Sequence, residues 1–235
     1  MRIVAVVLGG GTGQRMGGDQ PKQFLRLGGR TLIEHCVAAF DAAPGVDEVL
    51  VVMARGYVSP VRSMLAGFGK VSAVIEGGAG RADSTRAALA VLSGADCGVL
   101  LHDAARPLVD QRIIADCVAA LSSYDAIGTA VPSSDTIVLA ADGKMSYVPP
   151  RDEVFRCQTP QCFRLPVIAK AHELAACDPQ FAPTDDCGVV LRYLPEVPVH
   201  IVRGSERNIK ITYPGDLAVA EALLSGAAGA AGLTA

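Results

Sequence analysis

The chain has 235 residues and a net charge of −3, and 50% of its residues are hydrophobic while 19% are charged. This length and composition predict a globular protein with a sizeable core. Because lysine and arginine form no run, a broad nucleic-acid-binding surface is excluded. The apolar stretch before the first glycines is too short for a signal sequence or a membrane span, which predicts a cytoplasmic protein without a membrane partner.

The segment over residues 4–27 begins with an apolar run that ends in glycines and is followed by basic side chains. Glycines allow successive backbone N–H groups to converge on an anion, so the pattern predicts a buried strand that opens onto a phosphate-binding loop. The dinucleotide-binding fingerprint does not fit, because its third glycine would fall at Gln14 or Met16. The P-loop does not fit either, since Lys22 lies between Pro21 and Gln23. An ordinary strand-to-helix turn with two solvated cations is the alternative.

After this loop, apolar periodicity predicts strands that alternate with helices. Such a pattern is typical of an α/β fold with a mostly parallel sheet, which binds ligands at the carboxyl ends of its strands. The predicted elements are a helix over 32–42, a strand over 48–53, a helix over 60–67, a strand over 70–76, a helix that begins with Arg81, Asp83 and Ser84, a strand over 97–103, and helices over 113–121 and 166–177. A strand over 197–204 and a helix over 216–224 follow.

Two segments depart from this alternation. Strand-like residues over 136–140 and 145–148 flank a turn signal, which predicts a protruding β-hairpin arm at about 132–158 that buries Ile137 and Val148 against another surface. The run over 184–188, TDDCG, is predicted to be a polar turn. We expect one domain over 1–224, and a flexible low-complexity tail over 225–235.

Three charged side chains carry the chemistry in this pattern. A loop that holds both Arg15 and Lys22 can direct two cations at one point, as phosphoryl or nucleotidyl transfer requires. Asp103 ends an apolar strand, where its carboxylate could bind a Mg²⁺ ion that bridges substrate phosphates. Alternatively, Asp103 caps the next turn or pairs with Arg106.

Seven short motifs decide between these alternatives. In order and spacing they resemble the cytidylyltransferases that activate polyol phosphates, and the resemblance covers about residues 3–224. The motifs are GGGTGQRMG with PKQF, GGAGRADS, HDAARP, SDTI, RCQTPQCF, TDDCG and NIKIT. The family includes the 2-C-methyl-D-erythritol 4-phosphate enzymes of non-mevalonate isoprenoid biosynthesis (the MEP pathway) and the ribitol 5-phosphate enzymes.

The resemblance implies a Rossmann-like, GT-A-like nucleotidyltransferase fold that binds CTP over the glycine loop with Mg²⁺ at its phosphates. An acceptor phosphate oxygen then attacks the α-phosphorus, and pyrophosphate leaves. The implied catalytic residues are Arg15, Lys22 and Lys210, and Asp103 is the implied metal ligand. The implied CTP-binding residues are Leu8, Gly9, Gly10, Gly11, Thr12, Gly13, Gly78, Asp83, Ser84 and Ala104. The implied acceptor-binding residues are Asp103, Arg106, Thr136, Arg151, Thr159 and Lys210.

The resemblance also implies a homodimer, because Thr136 and Arg151 match residues that reach into the acceptor pocket of a neighbouring subunit. On a simpler reading, Thr136 is an ordinary strand residue and Arg151 is a solvated charge at the rim.

Two departures from the erythritol enzymes leave the acceptor open. This chain has LGGG over 8–11 where they have Pro-Ala-Ala-Gly, and Cys187-Gly188 where they have Ala-Ser. VPPR over 148–151 and the TDDCG run resemble the ribitol type. We place the erythritol acceptor first, since that branch is the more common, with ribitol 5-phosphate, which would give CDP-ribitol for cell-surface polymers, as the alternative.

The sequence disfavours two other classes of protein. A nucleotide-sugar glycosyltransferase would normally carry an Asp-x-Asp motif, which the sequence lacks. A non-catalytic nucleotide-binding module is disfavoured by the intact pair of Arg15 and Lys22.

Overall fold

A computed structural model describes residues 1–11, 21–181 and 183–231 of the chain. Its strands are β1 (Arg2–Gly9), β2 (Arg26–Leu27), β3 (Arg30–Thr31), β4 (Glu48–Met53), β5 (Val71–Glu76), β6 (Cys97–Asp103), β7 (Ala126–Pro132), β8 (Leu139–Ala141), β9 (Lys144–Tyr147), β10 (Phe155–Arg164) and β11 (Val199–Arg203). Its helices are α1 (Leu32–Asp41), α2 (Val58–Met64), α3 (Arg81–Val91), α4 (Gln111–Ala120), α5 (Leu165–Ala176), α6 (Asp186–Tyr193) and α7 (Pro214–Ala231). Short 3-10 helices span Lys22–Phe24 and Arg151–Glu153.

Seven strands form one sheet in the order β11-β7-β10-β6-β1-β4-β5. Neighbouring strands pair in parallel except β10, which runs antiparallel to both β6 and β7. The predicted α/β class with a mostly parallel sheet is therefore confirmed. The parallel strands β1, β4, β5 and β6 end at one edge, so the loops that follow them lie side by side.

Helices cover both faces of the sheet, which explains why β1 is apolar along nearly its whole length. Its side chains alternate between two cores: Val7 packs in the cluster that contains Phe40 of α1 and Ile113 of α4, and Val6 packs in the cluster that contains Ile168 of α5. The glycine-rich end of β1 is therefore held between two packed layers.

The C-terminal part of the chain packs against the segment that follows β1. Ile211, which precedes α7, and Ala220 of α7 pack on Leu27 and Leu32 in a third buried cluster. Helix α7 continues past the predicted end at 224 to Ala231. The flexibility expected for residues 225–235 stays a prediction.

The predicted arm is present as a hairpin of β8 and β9. Its turn contains Asp142 and Gly143 at φ values of 50° and 73°, the left-handed conformation that a tight two-residue turn requires. The first strand begins at Leu139, so Thr136 precedes it. Ile137 and Val148 are 39% and 52% exposed in the single chain, so the burial that the sequence predicts for them is not provided by this chain's own core.

The polar turn predicted over 184–188 is wrong from Asp186 onward, because Asp186 begins helix α6. Asp185 is the N-cap, and its carboxylate accepts a hydrogen bond from the backbone N–H of Gly188 at 2.9 Å. Acidic residues and a glycine suggested a turn in the sequence, but an aspartate at this position also satisfies a free N–H group of a helix. Asp186 is thereby placed in the first turn of α6.

Candidate active site

A cavity of about 420 Å³ lies at the carboxyl edge of the sheet. This volume falls within the range of about 300–1,000 Å³ that is usual for small-molecule sites. The lining residues come from the ends of β1 and β6, the 3-10 helix Lys22–Phe24, the loop after β5 with the start of α3, the segment before α6 and the segment after β11. They are Leu8, Gly10, Gly11, Lys22, Gln23, Ala79, Gly80, Arg81, Ser84, Asp103, Ala105, Thr184 and Lys210.

Gly10 brings the main chain after β1 unusually close to helix α3. A Cβ atom added at this position would lie 2.5 Å from the Ser84 hydroxyl oxygen, so a side chain would displace the buried Ser84. Gln23 supports the same backbone from the other side, since its Nε2 donates to the carbonyls of Gly9 and Gly11, each at 2.9 Å. The glycine segment is thus fixed at the cavity by residues on two other elements.

Two lysines predicted from motifs at opposite ends of the chain meet at this cavity. Lys22 Nζ donates to the Ile211 carbonyl at 2.8 Å, and Lys210 Nζ lies 2.7 Å from Asp103 Oδ2. The segment that carries Lys210 is itself fixed, because the N–H of Ile211 donates to the Ala105 carbonyl at 2.8 Å. The site therefore depends on contacts that the segment after β11 makes with the 3-10 helix at Lys22 and with the end of β6.

Asp103 lies at the centre of the cations in the cavity. Besides Lys210, Arg81 approaches it, with Nε 3.1 Å from Asp103 Oδ1. Burial raises the pKa of the Asp103 carboxyl, but the charges of Arg81, Lys210 and Arg106 outweigh burial and hold its pKa below the ordinary value. Asp103 is therefore an ionised carboxylate, and its side chain pairs with cations, while no backbone N–H of the described residues 104–107 donates to it as a cap would require.

The backbone of Asp103 is positioned from the neighbouring antiparallel strand. Its N–H donates to the Thr159 hydroxyl at 3.1 Å, and that hydroxyl lies 3.0 Å from His102 Nδ1. Burial lowers the pKa of His102 to about 4, so the imidazole is neutral near neutral pH. Thr159 is buried beneath Asp103 and outside the set of described lining residues.

Arg106 does not form the side-chain pair with Asp103 that the sequence left open. Its guanidinium instead donates to the carbonyls of Asn208 at 2.8 Å and Cys157 at 3.1 Å. It joins the loop after β6 to β10 and to the segment of Lys210. Ala104 is fully buried, and its N–H donates to the Leu8 carbonyl at 3.0 Å. This hydrogen bond joins the ends of β6 and β1 at the edge of the cavity.

Of the predicted CTP-binding residues Gly78, Asp83 and Ser84, the structure brings Ser84 to the cavity wall. Asp83 accepts a hydrogen bond from the Gly80 N–H at 2.9 Å and pairs with Arg86. A Cβ at Gly78 would lie 2.1 Å from the Asp83 Cβ, so Gly78 allows the chain to enter the helix tightly. Contacts of Gly78 and Asp83 with CTP stay predictions.

Thr136 and Arg151 are joined to each other in the arm, since Arg151 Nη2 donates to the Thr136 hydroxyl at 3.0 Å. Both lie outside the cavity of their own chain as lined by the described residues. Three further predicted residues, Thr12, Gly13 and Arg15, lie outside the described part of the chain, and their roles stay predictions.

Three side chains at or behind the cavity, Arg81, Asp186 and His172, were not assigned roles from the sequence. Arg81 reaches from Asp103 to Asp186, with Nη1 2.6 Å from Asp186 Oδ2, and His172 Nε2 lies 3.0 Å from Asp186 Oδ1. The sequence held one signal for them: Arg81 belongs to the polar start of α3, and Asp186 to the acidic run before α6. Only packing shows that these runs meet.

Within the described residues, no three His, Cys, Asp or Glu side chains cluster so as to hold a metal ion. Asp103 is the ionised carboxylate of the cavity, and each of its oxygens retains a lone pair beyond the one directed at its cation. Because Mg²⁺ is usually bound through one or two carboxylates plus substrate phosphates, this residue fits a metal that arrives with a nucleotide.

Nearly the whole chain is similar to proteins of one enzyme family. Residues 3–226 match the model of the family described as 2-C-methyl-D-erythritol 4-phosphate cytidylyltransferase. The chain belongs to this family. It is therefore a cytidylyltransferase, and the predicted family, fold and enzyme class are confirmed.

Particular relatives support the match across nearly the whole length. The Thermobifida fusca protein named 2-C-methyl-D-erythritol 4-phosphate cytidylyltransferase is 53% identical over 232 residues, which cover 95% of this chain and 93% of that protein. The Haemophilus influenzae protein named bifunctional ribulose 5-phosphate reductase/CDP-ribitol pyrophosphorylase Bcs1 is 38% identical over 94% of this chain and 48% of its own length. The crystal structure of 4-diphosphocytidyl-2C-methyl-D-erythritol synthase from Anaerococcus prevotii superposes with a TM-score of 0.84 at 27% identity, covering 95% of this chain and 98% of that one.

Proposed function

We propose that this enzyme transfers the cytidylyl group of CTP to 2-C-methyl-D-erythritol 4-phosphate and releases pyrophosphate. The observation that supports the reaction most directly is the meeting of Lys22, Lys210 and the backbone of Gly10 and Gly11 at one cavity. Backbone N–H groups and lysines together bind phosphates, and a nucleotidyl-transfer transition state needs positive charge more than it needs covalent chemistry.

In this reaction an oxygen of the acceptor phosphate attacks the α-phosphorus of CTP. A new P–O bond forms as the bond between the α-phosphorus and the bridging oxygen breaks, and pyrophosphate takes the electron pair. We assign Lys22, with Arg15, to the charge that develops at the α-phosphate. Lys210, Arg106 and Asp103 are assigned to the acceptor side, with Thr159 holding Asp103 from behind.

Asp103 would hold a Mg²⁺ ion that is bound to the phosphates of CTP. When bound, that ion supplies positive charge that neutralises the triphosphate and its leaving group. Arg81 and Lys210 keep the carboxylate ionised and oriented, so Asp103 is ready to bind a cation without a change of protonation.

The choice of acceptor follows the relatives. The protein named for the erythritol substrate is 53% identical to this chain, whereas the protein named for CDP-ribitol is 38% identical. Ribitol 5-phosphate is therefore the second candidate, supported by the VPPR and TDDCG segments of this sequence.

We further propose that the enzyme is a homodimer in which the arm of one subunit reaches the acceptor pocket of the other. The arm exposes large apolar side chains that a single chain leaves in water: Leu139, Met145, Tyr147 and Val148 are each more than half exposed. Thr136 and Arg151 would be carried with it to the neighbouring acceptor.

The cytoplasmic location predicted from the sequence also belongs to this proposal. Among the described residues, no helix has both the length and the apolar character to cross a membrane.

Pyrophosphate release tests the proposal and the choice of acceptor together. The enzyme is incubated with CTP and Mg²⁺, with either 2-C-methyl-D-erythritol 4-phosphate or D-ribitol 5-phosphate, and parallel reactions replace CTP with UTP or ATP. We expect turnover with CTP and the erythritol phosphate. Turnover with ribitol phosphate alone would replace the acceptor, and no turnover with either acceptor in the presence of CTP would overturn the proposal.

A further inference from the structure

A chain of ion pairs and hydrogen bonds extends from the cavity into the protein behind it. It starts at Lys210 and Asp103, continues through Arg81 to Asp186, and ends at His172, with successive N–O distances of 2.7, 3.1, 2.6 and 3.0 Å. Asp186 and His172 are only 1% and 2% exposed. The far end of this chain therefore lies in the core and cannot touch a substrate in the cavity.

Several contacts fix Asp186 in place. It is the first residue of α6, and its own N–H donates to the Gln161 side-chain oxygen at 2.9 Å. Each of its two carboxylate oxygens binds one partner, Arg81 on one side and His172 on the other. Burial raises the pKa of Asp186, but the charge of Arg81 and the hydrogen bond with His172 outweigh burial and lower it, so the carboxylate is ionised. Asp186 is a charged anchor held by helix α6, strand β10 and helix α5.

Arg81 depends on this anchor for its orientation. Its Nε faces Asp103 and its Nη1 faces Asp186, so the planar guanidinium is fixed by two carboxylates at once. Within the part of the chain that the structure describes, its Nη2 atom is buried without a hydrogen-bond partner. The hydrogen bonds that hold this guanidinium are therefore the two to the carboxylates of Asp103 and Asp186.

Stability alone is a weak reason for such an arrangement. Removing several charges from water is costly, and apolar residues of similar volume often serve a protein core as well or better. Here the buried charges end on Asp103, the carboxylate to which the proposed reaction assigns the acceptor and the metal. A role in holding that carboxylate explains why these charges are buried and why their ion pairs lead from the core to Asp103.

We propose that Asp186, with His172 behind it, is a positioning residue: it orients Arg81 and, through Arg81, the Asp103 carboxylate at the cavity. This inference rests on the proposed function, because it concerns the geometry of the same site. Neither Asp186 nor His172 contacts the reacting atoms. Their effect on turnover passes through Arg81.

A double-mutant cycle tests this route, because two residues that act as one unit do not have multiplicative effects. We compare the wild type, Asp186→Asn, Arg81→Ala and the double variant by pyrophosphate release at saturating substrates. We expect Asp186→Asn to lower kcat about tenfold or more, with the KM for CTP changed less than about threefold. In the Arg81→Ala background, the same substitution should change kcat by less than about twofold.

Matched variants separate positioning from a general loss of structure. Asp178→Asn removes a carboxylate that pairs with Arg192 and Tyr193 elsewhere on the protein, and it should leave kcat unchanged. His172→Gln keeps a donor for Asp186 and should retain most activity, whereas His172→Leu should lose about as much as Asp186→Asn. If Asp186→Asn does not unfold cooperatively on heating, the two His172 variants, each in the wild-type and Arg81→Ala backgrounds, carry the test.

Wild-type kcat from Asp186→Asn, or from His172→Leu where that variant carries the test, would overturn the inference, as would losses that multiply with that of Arg81→Ala. These results presuppose an active wild type. A wild type that turns over neither acceptor with CTP would instead overturn the proposed function on which the inference depends.

Discussion

The cavity edge and the arm reverse the usual placement of residues. At the cavity edge, Asp103 and Asp186 are charged and buried, and each is paired with cations. In the arm, Met145 and Tyr147 are apolar or aromatic and are 76% and 54% exposed. Both arrangements cost free energy in an isolated chain. The first is compensated within this chain, whereas the second requires another surface, which is why we assign the arm to a partner subunit.

The largest effect is expected from the loss of a cation at the cavity edge. Lys22→Ala removes positive charge from the proposed α-phosphate site, and the loss of one such preorganised contact typically costs about 10²-fold or more in kcat. Pyrophosphate release at saturating CTP and acceptor measures it. Lys170→Ala is the control, because Lys170 is an exposed lysine of α5 paired with Glu173.

An undiminished kcat in Lys22→Ala would show that Lys22 is not catalytic. The alternative of a glycine turn with solvated cations would then hold for Lys22.

An intermediate effect is expected from a charge placed on the arm. Val148→Asp should convert a dimer into monomers near the chain mass of 24.3 kDa, because the new carboxylate would have to be buried at the interface. The KM for the acceptor should rise about tenfold, corresponding to about 1.4 kcal/mol of lost binding, while the KM for CTP stays nearly constant. Light scattering after size-exclusion chromatography gives the mass, and initial rates give the KM values.

Val91→Asp is the matched control, since Val91 is 56% exposed on helix α3 and lies away from the arm. A wild type that is already monomeric at the assay concentration would contradict the role of the arm in assembly. A Val148→Asp dimer with an unchanged acceptor KM would contradict its role in the pocket.

The smallest effect concerns the neutral histidine beneath Asp103. Burial lowers the pKa of His102 to about 4 from an ordinary 6.5, so only the unfolded chain takes up this proton between these values. Stability from this residue is therefore full above about pH 6.5 and decreases as the pH falls toward about 4. In urea unfolding, His102→Gln should show a shallower decrease over this window than the wild type. An NMR titration of His102 with a midpoint near 6.5 would contradict the expectation.

Helices α1 and α6 show which signals in the sequence are reliable. Helix α1 is predicted within one residue, because its amphipathic pattern follows Thr31, which forms a capping box with Glu34. The start of α6 is missed, because Asp185-Asp186 followed by Gly188 fits a turn and a helix N-terminus equally well in local sequence. Local patterns resolve elements with long apolar periodicity and fail where caps and turns use the same residues.

For the site, local motifs identify residues one by one, and the fold determines their partners. Asp103 could be a cap, a metal ligand or a partner of Arg106 as far as its neighbours in sequence show. The structure pairs its side chain with Arg81 and Lys210 and directs Arg106 to the carbonyls of Cys157 and Asn208. These contacts join residues far apart in the chain, so no local pattern contains them.

The sequence alone determined the α/β class, the glycine segment after the first strand and the family, because these depend on apolar periodicity and on short motifs in a set order. The tertiary structure alone decided that Arg81, Asp186 and His172 form one line of paired side chains behind Asp103. It also decided that the arm leaves its apolar side chains in water. The physical reason is that burial and ion pairing depend on which strand ends become neighbours, and the sheet order sets that only after folding.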